Sequence, residues 1–275
     1  MLHTTLYHYL RKECDTVTAA YNTLQQAPGD ADAIHAMRVG VKKLRAFFSL
    51  VTQLPDYSFG AGKHLKEARL IQSIGGASRD THLQEKHLRA YEKKVDWRFS
   101  FAHLLLQNKA ATADEMMEAT VKFSSLKKLG TLPERFKAAI ADIDPDAATP
   151  ALIGFLKQQH EQIIIPSSRA HHTVWHGVRK KVKALYYHLN ILEQLLPATF
   201  TVHLLPPARE AGELLGQWHD TSELLLFVKA TVAQLKKEKI TLPVNAQQLV
   251  QLLDTDRKEQ LAQCARQVKV LAASL

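Results

Sequence analysis

Met37, Val41, Leu44 and Phe48 recur at intervals of four, three and four, and so do Val178, Val182, Leu185 and Leu189. That spacing marks one face of an α-helix and not the alternation of a strand. The same period runs along almost the whole chain. It predicts helices over 2–26, 31–53, 62–94, 97–130, 148–164, 169–196, 200–238 and 245–273, the fourth being the one that could be two. The breaks carry Pro or Gly among small polar residues: "APGD", "LPDYSFGAG", "TLPE", "DIDPDAATP", "IIIPSS", "LPATF" and "TLPVN". An all-α fold is expected.

The pattern is also written twice. His35 and Arg38 stand in "HAMRVGVKKLR", and His176 and Arg179 in "HGVRKKVKALY", an offset of 141. Lys42 answers Lys183, and Leu44 answers Leu185. Further on, "IGGASRD" (Ile74 to Asp80) answers "LGQWHD" (Leu215 to Asp220); the aspartates and Gly76 with Gly216 align at an offset of 140. Eleven residues before each aspartate stands an arginine, Arg69 and Arg209. This repeat predicts one unit over 1–275 made of two antiparallel bundles of about four helices, 1–144 and 145–275, related by a pseudo-twofold axis.

Placed on a helix at about 100° per residue, His35, Arg38, Lys42 and Arg45 fall within an arc of about 80°. The apolar face lies in the neighbouring arc. In the second copy His176, Arg179 and Lys183 take the same arc, joined by Lys180, with Tyr186 where Arg45 stood. Cations at the border of a core face sit in grooves between helices, partly desolvated and repelling one another. A polyanion relieves that repulsion, and Arg and Lys offer donors without acceptors, which suits phosphoryl oxygens. "PGD" before the first stripe and "PSS" before the second read as N-caps, so helix dipoles are expected to add to the anion affinity. The opposing view is a solvated basic face whose partners are Asp80 and Asp220.

Composition supports the anionic partner. The chain has 275 residues, 46% hydrophobic, with a formal net charge of +9. That balance favours nucleic acid, anionic lipid or phosphate polymers as partners. The two cysteines, Cys14 and Cys264, form no readable disulfide framework or thiolate metal motif. The N-terminus lacks an apolar run of signal-peptide length, and no stretch of about 18 apolar residues occurs. A soluble cytoplasmic protein without membrane contact is expected.

The doubled "HAMRVGVKKLR … IGGASRD" and "HGVRKKVKALYY … LGQWHD" resemble the CHAD family, the conserved histidine α-helical domain, over nearly the whole chain. The resemblance implies two pseudo-symmetric helical bundles whose basic surface binds inorganic polyphosphate, with polyphosphate granules or polyphosphate-metabolising enzymes as further partners. It implies a binding module rather than an enzyme, with no cofactor and no metal. With no E-x-E-x-K stretch near the N-terminus, a stand-alone member is expected. Carried over residue by residue, the first motif is His35, Arg38, Lys42, Lys43 and Arg45, and the second His176, Arg179, Lys180 and Lys183. Arg69 and Arg209 match the base before each LG segment, Arg79 matches its Arg/Asn position, and Lys66 joins the set. Tyr186 and His219 replace polar or basic residues usual in the family, and "IGGAS" holds an extra Gly. Those departures imply a weaker grip in the second half.

Two other classes compete. Sequence-independent nucleic-acid binding fits the charge, but no helix-turn-helix, zinc-finger or RNP pattern is visible. A metal-dependent phosphohydrolase is suggested only by His172 and His176 four apart and by the His219–Asp220 pair. The zincin glutamate is absent, Thr173 standing in its place, and the partner of His219–Asp220 in the first half is Arg79–Asp80.

Overall fold

The computed structural model describes residues 1–167 and 170–275. The described residues form eleven helices and no strand: α1 Leu2–Gln26, α2 Ala31–Val51, α3 Gly62–Val95, α4 Ser100–Phe123, α5 Lys127–Gly130, α6 Leu132–Ala139, α7 Pro145–Glu161, α8 His172–Leu192, α9 Ala198–His203, α10 Leu205–Lys237 and α11 Val244–Ala272. The all-α expectation is met.

Several departures from the expected bounds share a cause. Prolines read as breaks are helix starts, because a first-turn proline sacrifices an N–H that has no intrahelical partner there. Pro133 stands in the first turn of α6, a helix that the periodicity left out. Pro145 opens α7 behind the Asp144 cap, three residues before the expected start. Pro206 and Pro207, which the expected helix 200–238 ran through, stand in the first turn of α10, which is separate from the short α9. The expected fourth helix is indeed two, α4 and α5, parted at Ser124–Leu126.

Each long helix buries one stripe. In α1, Leu6, Leu10, Val17 and Leu24 are wholly buried, and in α2 Val41, Leu44 and Phe47. Each such side chain contributes about 1.5–3 kcal/mol of burial free energy. These residues share one core with Trp175, Val182, Leu185 and Trp218 from beyond residue 144. A second core joins Leu88 of α3 and Leu106 of α4 to Leu224 and Val228 of α10 and Leu249 and Leu253 of α11. The turn from α3 to α4 passes through left-handed Asp96. It is fastened by buried Glu92, which accepts from the Phe99 N–H at 2.6 Å and from the His103 ring at 2.9 Å.

The contacts that matter for the site are central. α2 packs on α8, and α3 packs on α10. The α2–α8 contact is pinned by His188, whose ring reaches the Ala46 carbonyl at 3.0 Å and the Gln159 side chain at 2.6 Å. The two cationic helices therefore lie side by side. Among the described residues no helix is long and apolar enough to cross a membrane.

Candidate functional site

α2 begins where Asp30 accepts from the Ala33 N–H at 2.7 Å. His35 follows one turn into the helix and is exposed, while Arg38 is buried. Arg38 lies across α3: its Nη2 is 3.4 Å from Asp80 Oδ1 and its Nη1 is 3.5 Å from the Gln72 carbonyl. Only a glycine fits beneath the guanidinium, because a Cβ on Gly76 would come within 2.4 Å of Arg38 Nη1. Burial pushes Arg38 below its ordinary basicity and Asp80 opposes that. The guanidinium stays charged all the same. Its Nε is buried with no hydrogen-bond partner.

The second copy is built alike on α8 and α10. His176 stands one turn into α8, followed by Arg179 and Lys183, all partly buried. Arg179 Nε, like Arg38 Nε, is buried without a partner. Burial, then the neighbouring Arg179, lower the Lys183 ammonium, with Glu213 and Asp220 opposing. His176 is lowered by burial and by Lys180, Arg179 and His172. His35 is lowered by burial and by Arg79, Lys42 and Arg38. In both, the surrounding cations favour the neutral ring, a push that a bound anion would oppose.

The two stripes converge. Burial and the charges of Arg38, Arg179 and Arg79 bring Lys42 down to about 8. Arg179 comes from the other copy, so cations of both copies press on one ammonium. His219 is brought to about 4 by burial and by Arg179, His176, His172 and Lys42. Asp220 is raised by burial despite Arg179, His87 and Arg79. Cations of the first copy, Arg38 and Arg79, and of the second, Arg179, thus act on the same Lys42 where α2, α3, α8 and α10 pack together; we call this cationic meeting zone the groove. The acids acting on these cations are Asp80, Glu213 and Asp220, with Glu223 beside His219.

Other expected residues stand apart. Lys43 is ion-paired at 2.9 Å with buried Glu13 of α1. It lines a separate depression with His8, Tyr9, Tyr186 and Tyr187. Arg209 lies 3.8 Å from Glu213 on the surface of α10. Arg45, Lys66, Arg69 and Lys180 are exposed. Arg45 is seven residues beyond Arg38, and Arg69 seven before Gly76. Seven residues of helix rise about 10 Å, so each lies about two turns along its own helix from the Arg38–Gly76 contact.

The copies differ in three ways. Gly216 has nothing near its would-be Cβ, in contrast to Gly76. Arg38 has a carboxylate partner within 4.0 Å, whereas no such pair holds Arg179 among the described residues. The α8 N-cap is His171, whose ring accepts from the Thr173 N–H at 3.3 Å, and not a serine of "PSS". Ser168 and the expected helix start at residue 169 lie outside the described residues. At α2 the Asp30 carboxylate already answers the helix dipole, so the dipole adds little to anion affinity there.

Some groups at the groove were not singled out from the sequence. His87 and Glu223 belong to no motif, and His172 and His219 were visible only as separate spacings. Asp220 feels the positive charges of Arg179, His87 and Arg79.

The CHAD domain family model matches residues 7–229, most of the chain. The chain belongs to the CHAD domain family. Among solved structures it is similar to the CHAD domain from the plant Ricinus communis, with a TM-score of 0.63 and 18% identity, covering 100% of this chain and 91% of that one. It is similar also to PptA from Streptomyces chartreusis, with a TM-score of 0.63 and 17% identity, covering 97% of both chains. At these identities the likeness is one of fold. Among curated proteins none matches.

Proposed function

We propose that this CHAD domain binds inorganic polyphosphate along the groove between α2–α3 and α8–α10. The observation that carries the reading is the meeting of the two stripes: burial and cations from both copies bring Lys42 down to about 8. Partly buried like charges that outnumber their counter-ions are costly. A chain of phosphates supplies the missing charge and acceptors for the unpartnered Arg38 and Arg179 nitrogens together. The second reading, nucleic acid, is less well served. Phe47, Trp175 and Trp218 are buried and cannot stack on bases. Binding of this kind suits attachment to polyphosphate granules or to the enzymes that make and break the polymer.

The test is a titration with medium-chain polyphosphate at several salt concentrations, with DNA as competitor. Micromolar or tighter binding is expected. The log–log salt slope should be near −4 or steeper, from about −0.7 per neutralised phosphate over six contacts. Polyphosphate should displace DNA. A flat salt response, or DNA displacing polyphosphate, overturns the proposal.

A further inference from the structure

At the mouth of α8 a second kind of chemistry gathers. His172, the first residue of α8, meets His219 and Glu223 of α10, which are four apart and share a helix face. His172 Nε2 lies 4.0 Å from Glu223 Oε1, and His219 Nδ1 lies 3.9 Å from the same oxygen. One ligand atom from each residue falls within 4.8 Å of the others. The two imidazoles are nearly parallel, with ring centroids 6.0 Å apart and an interplanar angle of 26°. Trp218 packs against His172 at 4.9 Å and walls the inner side.

The nitrogens are the informative atoms. His172 Nε2 and His219 Nδ1 are shut off from solvent, and neither has a hydrogen-bond partner. Buried polar atoms are nearly always satisfied; these two lie just beyond hydrogen-bond reach of the same Glu223 Oε1, and a cation among the three would satisfy them together. Glu223 is half-exposed, which leaves the cluster open on its outer side.

We propose that His172, His219 and Glu223 form a site for one divalent transition-metal ion of the zinc class, linking α8 to α10. Two imidazoles and a carboxylate suit zinc, cobalt or nickel and disfavour magnesium and calcium, which prefer all-oxygen shells. Tetrahedral zinc holds nitrogen and oxygen ligands about 2.0–2.1 Å from the metal, and so about 3.3 Å from one another. The carboxylate oxygen stands 4.0 and 3.9 Å from the two nitrogens, so binding would draw the three side chains inward by side-chain rotation. Three protein ligands leave a coordination position on the exposed side for water or an exogenous oxygen. His219 also borders the groove, but the site uses none of its arginines or lysines and its metal test needs no polyphosphate.

The test uses the full chain, stripped with chelator and titrated with cobalt and then zinc, without polyphosphate. One cobalt per chain should produce a visible d–d band of low coordination number, displaced by zinc and not by magnesium. Zinc should raise the melting temperature. His172→Ala and His219→Gln should each weaken cobalt binding tenfold or more, and Glu223→Ala should weaken it measurably. His203→Ala, at an exposed histidine of α9, reports binding to scattered surface histidines and should leave the band unchanged. Circular dichroism separates lost ligands from lost fold, and Glu223→Ala at its half-exposed position keeps the test open if a histidine variant unfolds. No saturable band, or a band undiminished in all three ligand variants, overturns the proposal.

Discussion

Replacing Gly76 by alanine should move the Arg38 guanidinium without removing its charge. The added Cβ would sit 2.4 Å from Arg38 Nη1, well inside van der Waals contact. The flexible guanidinium can yield where backbone could not, so it should leave Asp80 and the groove while the helices hold their places. Alanine in a helix interior is favoured over glycine by about 0.8–1.0 kcal/mol. That gain offsets the displacement, and stability should change little. Binding should not be spared, because a charge-assisted hydrogen bond contributes about 1.5–3 kcal/mol, or roughly tenfold to hundredfold in affinity. Gly216→Ala is the matched control. Nothing lies within 4 Å of its would-be Cβ, so the variant should be stabilised by about 1 kcal/mol with its binding intact. Chemical denaturation and a polyphosphate titration on both variants give the four values needed. If Gly76→Ala binds as tightly as the parent, the guanidinium position over α3 does not matter and the account of the first half is wrong.

Two further outcomes follow from the shifted groups. Polyphosphate should restore Lys42 towards its ordinary basicity, so affinity should fall as pH rises through about 8, where the free ammonium deprotonates; calorimetry in buffers of different ionisation enthalpy should show proton uptake at that pH, and affinity independent of pH from 7 to 9 would refute this. His188 is buried and neutral, with its folded value at about 4 against 6.5 when unfolded, so the unfolded chain binds more protons between those values. Its stabilising share is complete above pH 6.5 and is lost as pH falls towards 4, amounting to about 3 kcal/mol. Denaturation at pH 7 and pH 4.5 should show the loss, and His188→Gln should shrink it; equal losses in both proteins would count against the reasoning.

The sequence carried the helices well, since amphipathic periods of twenty or more residues leave little room for another fold. It misplaced helix starts wherever a proline served as an opening residue, as at Pro133 and Pro145. The stripe was legible because His35, Arg38 and Lys42 recur in order in the second copy. What periodicity could not supply is which helix faces which. Lys42 beside Arg179 depends on α2 lying on α8. Lys43 is only about 100° round the helix from Lys42, yet it faces Glu13 of α1. The meeting of His172 with Glu223 likewise needs the α8–α10 contact, so two unremarkable i,i+4 spacings gave no sign of a shared cluster. Gly76 and Gly216 occupy matching positions in the repeat, but only the geometry separates the one under a guanidinium from the one in open space.

The central claim is that Arg38 and Arg179, from opposite copies, grip the same polyphosphate chain. The most direct measurement is a calorimetric titration of one medium-length polyphosphate into the parent, Arg38→Ala, Arg179→Ala and the double variant, with helical content checked in each. The account predicts one chain per protein, a clear loss in either single variant, and a double-variant loss that departs from the sum of the singles because the two contacts share one ligand. Full affinity in the double variant with its fold intact, or two chains bound independently to the parent, would contradict it.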